Sequence, residues 1–489
     1  MSVPWVRILR AAGAGAVAGG IVFAGSAASG QVHFGAPVVA AAPSTPVGIP
    51  VRTASLVCPG PETEGLAGVP AVAGGTTTVL AATAPAAAVQ GMVTPAAGQL
   101  STRGLPDGPE IGTSTERGRT ISGTLSGNAS ASITGADGLA PAMAGLQTWL
   151  RTDSDDRALI ATACQVPRDS HWLLAGAGET TRRERLVIAN PGANTLTVDV
   201  TVYGRQGIIA ATSSSRLAVP PRGRTVVLLD AIAPGEASPA VHVVASGGVV
   251  AAVLQDSWIE GAVGRGSDDV ASTPAPATEH LIAAVPVSGP AMVRVLVPGT
   301  VEAVVQTRAL TPDGPISLPQ DSVVRVPAGA VRDIAIGSLP PGTYAVQVKS
   351  DQPMVAAAMT ERRADGNGPS DLAWAAASEP IDGVAGTPVP AVTRAGLVLA
   401  AVGADARVTV TKVAADGTAT ASDVTVPGDS VTQVDVTGTA AVWLRPSGGA
   451  VRAGLVLELT DAGGPLYSVV ALNPAVVTGT DVVVRDVRR

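Results

Sequence analysis

The stretch VVASGGVVAAV, Val243–Val253, decides how this chain is read. Two apolar runs flank Ser246-Gly247-Gly248, with no charge and no aromatic ring. Alone it reads as a β-hairpin whose glycines supply the φ > 0 of a tight reversal. It has relatives. VQVKSDQPMVAAAM from Val346 and WLRPSGGAVRAGLVL from Trp443 repeat its pattern, and ASITGADGLAPAMAG from Ala131 is a weaker copy. Ser246, Ser350 and Ser447 thus mark a repeat of roughly one hundred residues.

Other landmarks keep step with it. Chain reversals stand at Gly204–Gly207, Pro312–Gly314 and Ala415–Gly417, followed by Val219-Pro220, Val326-Pro327 and Val426-Pro427. After each proposed hairpin comes a small apolar run ending in proline: RALIATACQVP, DVASTPAP, DLAWAAASEP and PLYSVVALNP. Asp155-Asp156, Asp268-Asp269 and Ser370-Asp371 precede the first three runs and read as solvated acidic turns. Calcium, a hard cation that suits carboxylates, is the alternative reading of these pairs.

Between the landmarks the segments read as strands. In TLTVDVTVYG, Leu196, Val198, Val200 and Val202 alternate with Thr197, Asp199, Thr201 and Tyr203, the period of a half-buried strand. No stretch after residue 30 holds a 3.6-residue period over several turns. The expected fold is all-β: tandem immunoglobulin-like antiparallel β-sandwich units of six or seven short strands, after one N-terminal hydrophobic helix. The expected organisation is a signal or anchor helix over 1–30, a Pro/Ala-rich linker over 31–52, and units at 53–167 (degenerate), 168–276, 277–380 and 381–489.

Composition agrees with many turns and close-packed sheets. The 489 residues are 46% hydrophobic but 2% aromatic, with 57 glycines and 39 prolines. Net charge is −7 with no basic patch, which argues against nucleic acid as a partner. Arg7 and Arg10 precede the apolar run from Ala11 to Ala28, and no charge follows until Arg52. That pattern predicts export, with the N-terminus cytoplasmic if the segment stays as a membrane anchor, or a secreted chain if Ser26-Ala27-Ala28 is a cleavage site. In an exported protein the two cysteines, Cys58 and Cys164, are expected to pair.

LVCPGP near Leu56, ATACQVP near Ala161, HWLLAGAG at His171 and LVIANPGANTLTVDVTVYGRQG from Leu186 together resemble an uncharacterised family of actinobacterial envelope proteins, a domain of unknown function. The resemblance runs over roughly 53–475 and is densest from 131 to 258. It implies a secreted or membrane-anchored protein with several β-sandwich units, and it carries no catalytic residue. Gly176-Ala177-Gly178 departs from the family pattern of two glycines and a polar residue, which weakens the idea of a shared ligand there.

Motifs for chemistry are missing. There is no HExxH, HxH, CxxC or G-x-S-x-G, so no metal, cofactor or catalytic residue is assigned. His171 and His280 open strands at matching repeat positions, which reads as a structural role. Trp149, Trp172, Trp258, Trp374 and Trp443 fall one or two to a unit; Trp172 and Trp258 are the candidate ligand contacts if a sugar is bound. The expected function is a non-enzymatic extracytoplasmic scaffold or interaction module of the cell envelope, with envelope proteins or cell-wall polysaccharide as partners. A carbohydrate-binding module is the alternative, and an envelope hydrolase the third reading.

Overall fold

Alternation becomes burial in the strand Leu196–Gly204: Leu196, Val198, Val200 and Val202 are buried, while Thr197, Asp199 and Thr201 stay partly exposed. The computed structural model describes residues 50–62, 75–152, 157–178, 182–210, 216–261, 263–318, 322–363, 368–391, 393–461 and 463–479. The expected N-terminal helix and Asp155-Asp156 lie outside them. Among the described residues the chain is all-β, in antiparallel sheets with one short 3-10 turn at Leu229–Ala231, and no helix is long and apolar enough to cross a membrane.

The first stretch holds β1 (Thr53–Cys58), β2 (Thr76–Thr83), β3 (Gly98–Leu105), β4 (Glu110–Ser114), β5 (Thr120–Leu125), β6 (Ser130–Asp137), β7 (Met143–Arg151) and β8 (Ala158–Ala163). They form two sheets, ordered β1-β6-β3-β4 and β5-β2-β7-β8. The same two orders recur three times. Ser170–Leu174, Ala240–Ser246, Leu196–Gly204 and Gly207–Ile208 make one sheet, with Arg216–Val219 also paired to Leu196–Gly204, and Arg224–Leu228, Arg182–Ala189, Ala251–Glu260 and Val263–Ala271 the other. The last copy pairs Ala385–Pro388, Ala441–Gly448, Ala406–Val413 and Ala419–Val426, then Ser430–Asp435, Arg394–Ala401, Arg452–Asp461 and Gly464–Leu472. In the third, the single strand Gly342–Arg363 serves both sheets: its first part pairs with Ala277–Val287 and Ala303–Thr311, its second with Ala291–Leu296 and Ser370–Ala376.

That recurrence corrects the hairpin reading of Val243–Val253. Ala240–Ser246 pairs with Leu196–Gly204 and Ser170–Leu174, whereas Ala251–Glu260 pairs with Arg182–Ala189 and Val263–Ala271. The two runs do not pair with each other. The landmark is a corner where the chain leaves one sheet for the other. Both flanks are apolar because each has a face against the core between the sheets: Val241, Val243, Ala252 and Leu254 share one cluster. Gly247 (φ 86°) and Gly449 (φ 86°) make the turn in the second and fourth copies. The third copy needs no such glycine, because Gly342–Arg363 passes the corner as an unbroken strand.

Neighbouring copies share cores. Leu296, Val355 and Trp374 of the third join the cluster of the second, and Val398, Val456 and Tyr467 of the fourth join that of the third. Leu80, Leu146 and Leu159 of the first join that of the fourth. Val57, Ala189 and Ala251 connect first to second. The circuit is closed, so the four copies surround a common axis.

Candidate functional site

Four strands line that axis, each the last of its copy: β8, Val263–Ala271, Ser370–Ala376 and Gly464–Leu472. Each packs on the next, and the fourth packs on β8. They are the same apolar runs that end in proline in the sequence. Each sits at the edge of its own sheet. Its outward N–H and C=O groups therefore have no ladder partner, although they are buried, and need acceptors and donors from elsewhere.

Acidic side chains supply part of this need. Asp371 Oδ2 accepts the amides of Leu159 (3.2 Å) and Tyr467 (2.9 Å), reaching two neighbouring strands at once, and Oδ1 accepts the Leu372 amide (3.0 Å). Asp268 Oδ2 accepts the Trp374 amide at 2.7 Å, and Oδ1 accepts the Ser468 hydroxyl at 3.3 Å. The Ser468 hydroxyl in turn accepts the Ala161 amide at 3.1 Å. Thr162 Oγ1 donates to the Asp269 carbonyl at 3.0 Å, and the Asp269 carboxylate accepts from Gln255 at 3.2 Å. Asp268, Asp269, Ser370 and Asp371 are thus buried within strands, which corrects their reading as solvated turns. The physical reason is the unpaired edge: a carboxyl there satisfies backbone donors that an apolar side chain would leave stranded.

Burial sets the proton affinity of these groups. It pushes Asp371 up to about 8, against the three amides that lower it. It lifts Asp269 to about 6, with Gln255 and then Arg151, Arg224 and Arg185 pulling the other way. Burial also raises Asp268 well above the usual carboxylate range. Both carboxyl oxygens of Asp268 and of Asp371 are engaged by protein donors, and among the described residues no group of three or more His, Cys, Asp or Glu side chains is arranged to hold a metal ion. The arrangement does the work of staples between strands.

A second network, which the sequence reading did not single out, joins the second and third copies. Asp256, fully buried, takes a two-point ion pair from Arg182 (2.7 and 2.5 Å) and the indole N–H of Trp374 at 2.7 Å. Arg294, also fully buried, donates to the carbonyls of Ala175, Gly176 and Pro239 and pairs with Asp333. A lone arginine inside AMVRVL was the available signal, since a cation in an apolar strand must be paired.

The expected histidine pattern has a concrete form. The Nε2 atom of His171 lies 2.9 Å from the Val250 carbonyl, and that of His280 lies 2.8 Å from the Met354 carbonyl. Both tie a first strand to the corner region of the same copy, and burial holds both below the usual histidine range. Trp172 is 9% exposed and stacks on His242 at a centroid distance of 3.7 Å. Trp258 is half-buried beneath the Arg182 guanidinium at 5.3 Å. Both rings are engaged in packing. Cys58 and Cys164 form a disulfide. It lies next to the bridge between Val57 and Gln165, where the two sheets of the first copy meet. Trp172–Thr273 and Ala385–Pro474 bridge the second and fourth copies in the same way without a covalent bond.

At one end of the axial strands lies a cavity of about 340 Å³. Its walls include β1, the ends of β8 and Gly464–Leu472, and the ion pair between Arg168 and Glu379 (2.9 Å). Its size falls in the range of small-ligand pockets.

The model of a family of unknown function, DUF5719, matches residues 121–437, more than half of the chain. No curated protein matches. One solved structure, described as the tetra-tandem repeat in the extending region of a large adhesion protein, is similar at 14% identity, covering 79% of this chain and 93% of that one with a TM-score of 0.10.

Proposed function

Starting from a chain that belongs to DUF5719, a family of unknown function, we propose a non-enzymatic scaffold or interaction module that acts outside the cytoplasm, in the cell envelope. In this reading each copy is an immunoglobulin-like sandwich, and the described parts of the four copies close into one ring. The observation that carries it is the use made of the central carboxyls. Asp268 and Asp371 are the groups best placed for acid–base work, and their oxygens are occupied by backbone amides and a serine hydroxyl of neighbouring strands. The disulfide supports an oxidising compartment, and the charge pattern of residues 1–52 supports an N-terminal membrane anchor or a cleaved signal. The carbohydrate reading has less support, since Trp172 is 9% exposed and one face of its ring is stacked on His242.

Crosslinking in intact cells, followed by identification of neighbours, tests the proposal. Stable envelope-protein neighbours are expected. Their absence, or turnover of a substrate that is abolished in Asp268→Asn, would remove the scaffold reading.

A further inference from the structure

Each copy hands the chain to the next through a short linker with a repeated bonding pattern. The linker first bonds to the opening strand of the copy it leaves: Gln165 bridges Val57, Thr273 bridges Trp172, and Ser378 donates to the Leu281 carbonyl. It then bonds to the chain just past the corner of the copy it enters. Val250 and Val451 donate to the carbonyls of Arg168 (2.9 Å) and Ile381 (3.2 Å), and Ala277 pairs with Met354 in the third copy. Four copies in one chain have three peptide connections, so the junction of the fourth with the first has none. Residues 473–478 follow the linker path there. Pro474 bridges Ala385 in the opening strand of the fourth copy, and Ala142, just past the corner of the first, donates to the Val476 carbonyl at 2.8 Å. Ala142 thus stands where Val250 and Val451 stand in their copies. A linker elsewhere runs on into the next opening strand. Here it lies beside the lead into that strand: Val51 donates to the Val477 carbonyl at 3.1 Å, and Pro50 bridges Thr478. The Val477 side chain is buried in a cluster drawn from both copies, with Ala82, Ala142 and Ala144 of the first and Val384, Val413 and Trp443 of the fourth.

We propose that residues 473–478 are a latch: they stand in for the missing fourth linker, and the ring opens at the junction of the fourth and first copies when they let go. At the other three junctions the peptide chain keeps neighbouring copies together when a hydrogen bond breaks. At this one the copies are held by non-covalent contacts alone, so local opening starts there, where least holds the parts together. Release uncovers the seam between β8 and Gly464–Leu472, where the Ala161 amide donates to the Ser468 hydroxyl. The other three seams stay shut. The latch is a property of the fold and needs no partner, so its failure would leave the scaffold reading in place.

The test is native-state hydrogen exchange on the full-length oxidised chain, followed by NMR in low concentrations of urea. Three equivalent amides are compared: Ala142 on the latch, Val250 and Val451 on peptide linkers. Ala142 should exchange at least about tenfold faster than the other two, and the buried Ala161 amide should exchange together with Ala142. Val477→Ala, which removes two methyl groups from the shared cluster, should speed Ala142 and Ala161 by about tenfold more and leave Val250 and Val451 within about twofold of their former rates. Equal protection of Ala142, Val250 and Val451 in the unaltered chain overturns the proposal. So does fast exchange of Ala142 with Ala161 still protected, which would mean that the segment frays without opening the seam. Both of these outcomes are read on the unaltered chain and need no variant to fold.

Discussion

Asp371 accepts the backbone amide of Tyr467 at 2.9 Å, so a side chain of the third copy completes the strand edge of the fourth. The same oxygen takes the Leu159 amide of the first copy at 3.2 Å. Three copies thus meet on one carboxyl, and removing it should tell how much the ring depends on side chains.

Asp371→Leu leaves the buried amides of Leu159 and Tyr467 without an acceptor. A loss of about 2–6 kcal/mol is expected, at about 1–3 kcal/mol for each of the two stranded donors. Asp371→Asn keeps one acceptor oxygen and should lose less. Thermal unfolding of both variants checks the order.

Stability should fall as pH rises from about 7.5 to 8.5. Asp371 and Glu184 have folded pKa values raised to about 8, by burial first, so the folded state holds protons that the unfolded state has released. Their contribution is complete below the unfolded carboxylate pKa and is lost as pH passes the folded one. The buried histidines are shifted down and neutral in the fold, but in the unfolded state they keep part of their charge until about pH 7.5 and oppose the slope below that. Melting temperatures at pH 7.5 and 8.5 therefore measure it, and Asp371→Asn should reduce it, leaving the part due to Glu184.

Reduction of Cys58–Cys164 should destabilise the chain. The sequence separation is 106, and loop-closure entropy for such a length is worth roughly 4–5 kcal/mol. The second and fourth copies close the corresponding sheet junction with single bridges and owe nothing to a thiol. Melting with and without reductant, with Cys58→Ala as a second variant, measures the effect.

Trp172→Ala should cost stability, at about 3–5 kcal/mol for a large buried ring. The ring stacks on His242 and lies 6.1 Å from Tyr203. Loss of polysaccharide retention with an unchanged melting temperature would instead assign the ring to a ligand.

Gly247→Ala isolates backbone strain at the corner. A Cβ there would meet nothing within 4 Å, yet φ is +86°. A cost of about 1–2 kcal/mol is expected from the left-handed conformation alone. Replacing Gln352, at the unbroken corner of the third copy, with alanine should cost far less.

Much of this was readable in the residues. Alternation in TLTVDVTVYG identified a strand and its buried face, because side chains on a pleated strand point to opposite sides in turn. The spacing of Ser246, Ser350 and Ser447 identified the repeat, and the positions of Cys58 and Cys164 identified a pair that does form. Two readings failed for a common reason. VVASGGVVAAV shows two strands and a reversal, but pairing partners lie far away in the chain, and a hairpin and a sheet-to-sheet corner have the same local pattern. Ser-Asp-Asp and Ser-Asp look like turns, because a carboxylate in isolation prefers water.

What the sequence determined by itself is therefore local and periodic: strand faces, glycine corners, a fourfold repeat and a disulfide. Tertiary structure alone decided that the last strands of four copies meet around one axis. Closure depends on the angle between neighbouring copies, which no single repeat encodes. Once the edges of those strands face one another in a dry interior, their amides require acceptors, and Asp268 and Asp371 become interior staples.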